Sequence, residues 1–346
     1  MVIVHRDNDC YDIPDDVAKR VLFAKRLRGR YDIIFEKILK SNNISYTLTN
    51  YENYYDKYDL QGDYFVARFA QEIGDKVQHS QFFDRLYNFY GENMWPNKNA
   101  YYYYDDKIRQ NELLKKYNLD IPNIICNNLD EVLKNITIGT VIKSTNGAGA
   151  DCVIHIWKKE QIDSIAEYIS NCYNKPNTWE QISQYFFPCI IQEYVDFNWE
   201  YHIFCANNEI YGYKKKLPTK WNSPNSFPYN NFEGDWANFQ YNDERGNKFN
   251  TNDTRLDREE LDSSLIKSIV DIKNELNTPN LKFDIVGGKV LEFSYIYGEQ
   301  IPYVPGGLDL FVYNCHRDKI EVKKYDSHYF QSIQQNSVLK HLGIIK

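Results

Sequence analysis

The stretch LKFDIVGGKVLEFS, residues 281 to 294, limits the fold more than any other part of this chain. Two apolar-rich runs flank a glycine pair, the pattern of a β-hairpin. Side chains on a strand alternate faces with a period of two. Leu281, Phe283 and Ile285 therefore share one face, and Lys282, Asp284 and Val286 the other. On the return strand Leu291, Phe293 and Tyr295 share a face, and Val290, Glu292 and Ser294 take its opposite. A two-residue Gly287-Gly288 turn would pair Val286 with Lys289 and set Glu292 across from Phe283, mixing carboxylate with aromatic. A three-residue loop from Gly287 to Lys289 pairs Val286 with Val290 instead. Phe283 then faces Phe293, Asp284 faces Glu292, and Lys282 faces Ser294. An apolar face specifies register strongly, so the second arrangement is expected. It sets two carboxylates side by side, which is destabilising unless something positive lies between them.

The rest of the chain is ordinary enough to carry such a site. Its 346 residues suggest two or three domains, with 42% hydrophobic and 26% charged residues. No apolar run approaches the roughly 18 residues that span a bilayer. The start, MVIVHRDND, has early charges and no apolar core region, unlike a signal peptide. The 7 scattered cysteines include no CxxC spacing, which points to a reducing cytoplasm and buried thiols rather than a disulfide framework. A net charge of -7 disfavours general nucleic-acid binding. With 30 tyrosines in the chain, the YYYY run at 101 to 104 reads as compositional bias.

Periodicity predicts an α/β beginning. VIVH at 2 to 5 fits a buried strand, residues 31 to 48 a helix followed by a strand, and GDYFVAR a third strand ending at Arg68. WPNKNA, at 95 to 100, is a turn-rich connection and the first boundary. DDKIRQNELLKKYNLDIP reads as a helix stopped before Pro122, with Asp105 and Asp106 near its positive end. TVIKS and CVIHIW are strands joined by a small-residue loop, followed by the helix EQIDSIAEYISNCY. FPCIIQEYV and WEYHIFCANNEIYGYKKK supply three more strands, the last two turning at Asn207-Asn208. The polar segment from Trp221 to Asp257 is either a lid or disordered. DREELDSSLIKSIVDIKNEL is an amphipathic helix with Leu261, Leu265, Ile269, Ile272 and Leu276 on one side.

The glycines at 147 and 149 fit neither a Walker loop nor a dinucleotide fingerprint, since the spacing is wrong and a strand follows. The order of several short signals is more telling. Lysine after aspartate opens a helix at DDKIRQNELL, and lysine ends a strand before a small-residue loop at VIKSTNGAGA. Glutamate closes a strand at IIQEYV, Glu200 follows, lysines end GYKKK, and the hairpin supplies Asp…Glu-x-Ser. Over roughly residues 90 to 310 this series resembles the ATP-grasp superfamily, in the branch of D-alanine–D-alanine ligases, ribosomal-protein glutamate ligases and polysaccharide-associated ligases.

The resemblance implies an α/β (α+β) ATP-grasp fold in three parts. These are an N-terminal pre-ATP-grasp domain at 1–104, a small lid subdomain at 105–192, and a C-terminal antiparallel sheet domain at 193–346. It assigns Lys107 and Lys143 to the ATP phosphates, with a third contact from the run Lys214 to Lys216 that alternation does not resolve. Ser144, Asn146, Gly147, Ala148 and Gly149 match the loop that folds over the phosphates. Glu193, Tyr194 and Val195, with Gln192 before them, match the adenine hinge, and Glu200 the acid that accepts the ribose hydroxyls. Asp284 and Glu292 match magnesium ligands, with manganese as the alternative ion; hard oxygen donors suit either. Ser294 stands where the family has asparagine, a departure that weakens a second ion site. Lys282 takes the place of an arginine that steadies the transferring phosphoryl group.

The activity implied is carboxylate–amine ligation through an acyl phosphate, on a surface-polysaccharide sugar acid or an amino acid. Arg68 is the candidate that holds the carboxylate, and the segment from Tyr303 to Leu308 the candidate amine pocket. A kinase and a weakly catalytic nucleotide-binding relative are the alternatives. The expected partners are ATP, a carboxylate and an amine, with neither nucleic acid nor membrane, and a homodimer is an open assembly.

Overall fold

A computed structural model describes residues 1–5, 31–49, 62–67, 73–104, 106–145, 153–170, 186–195, 199–216, 253–255, 262–295, 308–314, 319–325 and 327–346. Three sheets organise them. In the first, β1 (Val2–His5) runs parallel to β2 (Tyr46–Thr49) and β3 (Tyr64–Val66), and β3 pairs with β4 (Met94–Trp95). Helices α1 (Tyr31–Ser41) and α2 (Ile73–Tyr90) precede β2 and β4 in the chain. The α/β order expected from periodicity is present, while Arg68 lies outside the described residues.

WPNKNA is more than a turn. Asn97 caps α3 (Lys98–Tyr103) by accepting the Ala100 N–H at 2.8 Å. Its amide also donates to the carbonyls of Leu276 at 3.0 Å and Asn277 at 2.6 Å. One side chain with both an acceptor and donors thus satisfies a helix start and a distant helix end. Tyr103 and Tyr104 of the tyrosine run pack against Phe293 and Tyr295, with ring centroids 6.2 and 4.6 Å apart.

Helix α4 (Lys107–Lys116) is capped by Asp106, whose carboxylate accepts the Arg109 N–H at 3.0 Å. It stops earlier than Pro122 because Asn118 turns left-handed, with φ 56, and Leu119 N–H returns to the Leu114 carbonyl. The second sheet follows, antiparallel in the order β5 (Asn123–Cys126), β8 (Cys189–Glu193), β6 (Thr140–Ser144), β7 (Val153–His155). Helices α5 (Leu129–Asn135), α6 (Lys159–Asp163) and α7 (Ile165–Ser170) complete this part, and Ser164 divides the single helix expected there into two. Ile142, Ile154 and Ile191 face an apolar core, which leaves Lys143 on the other face. Cys126 and Cys189 stand opposite each other as buried free thiols.

The third sheet is antiparallel. It is built from β9 (Trp199–Ala206), β10 (Glu209–Lys216), β11 (Asp253–Arg255), β12 (Asn280–Val286), β13 (Lys289–Ser294), β14 (Leu308–Asn314) and β15 (Lys319–Tyr325). Its order is β13-β12-β9-β10-β14-β15, and β11 adds to β10. β11 comes from the segment expected to be a lid or disordered. Helix α8 (Ser263–Glu275) buries Leu265, Ile266, Ile269 and Ile272, each such burial contributing about 1.5–3 kcal/mol. Leu261 lies outside the described residues. Helix α9 (Ser327–His341) packs on α1, β9 and β12, and its Val338 and Leu339 join the core shared by the first and third sheets. Among the described residues no helix is long and apolar enough to cross a membrane.

The hairpin pairs Lys282 with Ser294, Phe283 with Phe293 and Asp284 with Glu292. Its loop, however, has two residues rather than three: Val286 pairs with Lys289, and Gly287 and Gly288 have φ 53 and 75. The register shifts between Asp284 and Ile285, where Ile285 pairs with Val290 and Leu291 becomes the extra residue of a β-bulge. The bulge moves Val290 off the Glu292 face and into the core with Ile285 and Phe293. A tight turn and a buried aromatic pair are thereby both kept.

A side chain at Gly287 would be strained by the positive φ, and its Cβ would stand 3.3 Å from Val195 Cγ1. Gly287→Ala is expected to cost about 1–2 kcal/mol in chemical denaturation. Gly288→Asn, at a left-handed position with open space, is expected to cost less than half of that.

Candidate nucleotide and metal site

Three ionisable residues form one row across adjacent strands: His202 on β9, Asp284 on β12 and Glu292 on β13. Asp284 is 5% exposed and His202 2%, so neither charge is solvated by bulk water. Lys282 Nζ lies 2.9 Å from Asp284 Oδ2, and His202 Nδ1 lies 2.8 Å from Asp284 Oδ1. His202 Nε2 faces Glu200 Oε2 at 3.4 Å, so the imidazole bridges two carboxylates. Alternation explains the set: Glu200 and His202 are two residues apart on β9, as are Lys282 and Asp284 on β12.

The balance of burial against charge differs at each group. Burial alone would raise the Asp284 carboxyl, but Lys282 and His202 outweigh it and hold Asp284 below the usual carboxylate range. Burial disfavours charge on His202 and Lys282 too, yet the facing carboxylates win and raise both. Glu292 is raised, because its burial and the neighbouring Asp284 exceed the pull of Lys107, Lys282 and Lys143. Its negative charge is the least compensated of the row.

Two more lysines arrive from other elements. Lys107, 7% exposed, opens α4, and Lys143 lies near the end of β6. The Lys107 N–H donates to the Thr145 carbonyl at 3.0 Å, joining the helix start to the strand end. Thr145 is anchored in turn by its hydroxyl to the Pro188 carbonyl at 2.9 Å. Burial, then the charge of Lys107, lowers the Lys143 ammonium to about 8. The two ammonium charges act on each other, and such a pair suits an anion.

The residues expected at the hinge end β8 and continue just past it. Glu193 is exposed, while Tyr194 and Val195 are half-buried. The Tyr194 N–H donates to the Gly139 carbonyl at 2.7 Å, and its ring stacks on His155 with centroids 4.1 Å apart. Gln192 is buried and donates to the Ile121 carbonyl at 3.2 Å. Glu200 contacts His202 beside the charged row, and buried Ser144 ends β6. Ser294 stands across from Lys282. In the lysine run the register sets Lys215 opposite Glu200, Lys214 opposite Tyr201 and Lys216 opposite Trp199. Position 215 is therefore the one that shares a row with the acidic cluster. Asn146, Gly147, Ala148, Gly149 and residues 303–307 lie outside the described residues, and Leu308 begins β14.

Two residues of the site have no counterpart in the sequence reading. His202 was legible, being two residues after Glu200 on a strand. Gln110 was not, because nothing in a helical glutamine announces a bond to a strand far along the chain.

The donor set fits a divalent cation. Asp284 and Glu292 offer hard oxygens from opposed positions. One ligand atom each from Glu200, His202 and Asp284 lies within 4.8 Å of the others. An added cation would offset the repulsion between Glu292 and Asp284.

The Lys143 shift has a sign. Its folded value of about 8 lies below the ordinary lysine value of 10.5, so the unfolded chain holds the proton more tightly. The penalty is full below about 8 and fades as pH rises toward 10.5. Stability should therefore climb over that interval by about 1–2 kcal/mol, allowing for partial solvent screening. Lys143→Met is expected to flatten this rise in pH-resolved chemical denaturation.

No family model and no curated protein matches this sequence. Solved structures do. The VanG D-Ala:D-Ser ligase from Enterococcus faecalis aligns with a TM-score of 0.50 at 9% identity, over 99% of this chain and 98% of its own. A RiPP-associated ATP-grasp ligase from Chryseobacterium gregarium gives 0.48 at 11%, over 98% and 96%. A D-alanine–D-alanine ligase from Bacillus anthracis, complexed with ATP, gives 0.47 at 11%, over 85% and 84%. The first of these carries the assignment, and at such identity it concerns architecture. The likeness is one of fold: the chain has the architecture of an ATP-grasp ligase.

Proposed function

We propose that the protein is an ATP-dependent ligase that joins a carboxylate to an amine, releasing ADP and phosphate. The observation that supports this most is the meeting of Lys107 and Lys143 beside the opposed Asp284 and Glu292. A polyphosphate brings negative charge that suits the lysines, and its metal ion suits the acids.

In this reading Lys107 and Lys143 bind the phosphates, with Lys215 the member of its run that shares a register row with Glu200. Gln192 to Val195 meet the adenine, Glu200 accepts the ribose hydroxyls, and residues 144 to 149 cover the phosphates. Asp284 and Glu292 hold the ion, which when bound neutralises charge on the phosphates; Ser294 offers a neutral oxygen beside them. Arg68 steadies the carboxylate substrate, and residues 303–308 line the amine pocket. A carboxylate oxygen attacks the γ-phosphorus, the bond to the bridging oxygen breaks, and ADP leaves an acyl phosphate. The amine then attacks the acyl carbon, phosphate departs, and the amine loses a proton. Lys282 lies beside this charge and favours the phosphoryl transfer. Positioning and charge do the work, and no protein nucleophile is needed. The carboxylate belongs to a surface-polysaccharide sugar acid or an amino acid, and the parts fall as three domains, 1–104, 105–192 and 193–346.

A coupled assay across sugar acids, amino acids and amines tests the reading. ADP and phosphate should appear together only when carboxylate and amine are both present, and AMP as product would contradict it. Glu292→Gln is expected to lower turnover by about 10²–10³-fold with the circular-dichroism spectrum unchanged.

A further inference from the structure

The first turn of α4 reaches across to the hairpin through a single side chain. Gln110 is 3% exposed. Its Nε2 donates to the Phe293 carbonyl at 2.8 Å, and its Oε1 accepts the Phe293 N–H at 3.1 Å. The same Nε2 donates to the Tyr103 carbonyl at 2.8 Å. Among the described residues β13 is the edge of its sheet, with no strand paired to its outward backbone groups. The glutamine amide presents one donor and one acceptor, and so completes the ladder at one residue of that edge.

The residue it grips lies between Glu292 and Ser294, two of the positions that face Asp284 and Lys282 across the hairpin. Gln110 is also three residues after Lys107, one helical turn along the same face. Lys107 is the charge that pulls hardest on Glu292, and its own N–H is tied to the end of the Lys143 strand. A bulge at Leu291 interrupts the ladder just before Glu292, and a bulge loosens pairing locally. The edge strand is thus weakest on one side of Glu292 and clamped on the other.

We propose that Gln110 is a positioning residue: its amide locks Phe293 so that Glu292 keeps the orientation needed to hold a metal-bound nucleotide opposite Lys107. The inference rests on the nucleotide and metal reading of the hairpin. It concerns how the acid is aimed rather than which acid binds. Partners that orient metal ligands typically contribute 10- to 100-fold in metal affinity.

Titration calorimetry of the full chain with ADP, run once in magnesium and once in EDTA, tests the role. Gln110→Met fills the same space without a donor or acceptor. Its affinity should fall by about tenfold in magnesium and stay within about twofold of wild type in EDTA. Equal weakening in both media, or no change in either, overturns the proposal. Where Gln110→Met does not fold, Gln110→Glu is the variant to read. It keeps the acceptor for Phe293 N–H, loses the donors, and should show the same magnesium-specific loss. A wild type whose ADP binding ignores magnesium overturns this role together with the metal reading of the hairpin. A magnesium-dependent wild type with unaffected variants overturns the Gln110 role alone.

Discussion

Asp284 sits in the middle of a sheet with Lys282 at 2.9 Å on one oxygen and His202 at 2.8 Å on the other. An isolated carboxylate at 5% exposure would be costly enough to protonate instead. Two cations from two strands keep it charged, and one of them is shared with Glu200. Such a cluster is a poor way to stabilise a fold, since well-packed apolar side chains do as well or better. Its persistence in the interior speaks for a ligand whose charges complete it. Glu292 makes the same point from the other side of the hairpin, being half-buried in the same row, where Asp284 disfavours its charge.

The rest of the architecture serves to bring cations to that row from separate places. The second sheet keeps its isoleucines on one face and so presents Lys143 on the other. α4 begins where its Asp106 cap allows, and its first N–H bonds to the Thr145 carbonyl beyond the end of β6. Gln110, one turn later, grips the hairpin. A single short helix therefore touches both sheets that supply the charges. Asn97 adds a second brace by capping α3 while bonding to the carbonyls of Leu276 and Asn277 just before β12.

The succession of strands before the hairpin and the hairpin's charged face were legible in the sequence because both rest on local apolar patterning and period-two alternation. The pairing of Asp284 with Glu292 came out as expected, although by a different route. Alternation alone places the extra residue in the loop, whereas the chain places it in a bulge at Leu291, since two glycines with positive φ already make a favourable turn. Counting residues constrains where strands end up, not which residue is left out. His202 lies two residues after Glu200, a spacing visible in the sequence, but a histidine within an apolar strand run does not announce its partners. The brace at Asn97 and the clamp at Gln110 depend on contacts 179 to 183 residues away in sequence. Local pattern carries no information at that range.

The central claim is that the opposed acids of the hairpin, Asp284 and Glu292, hold a metal ion that a nucleotide's phosphates share. Crystals soaked with manganese and a non-hydrolysable ATP analogue test it most directly, through the anomalous signal of the ion. The account predicts a peak within bonding distance of both Asp284 and Glu292, with phosphate oxygens reaching Lys107 and Lys143. Phosphates bound elsewhere, or no peak there while Asp284 stays closed on Lys282 and His202, would contradict it.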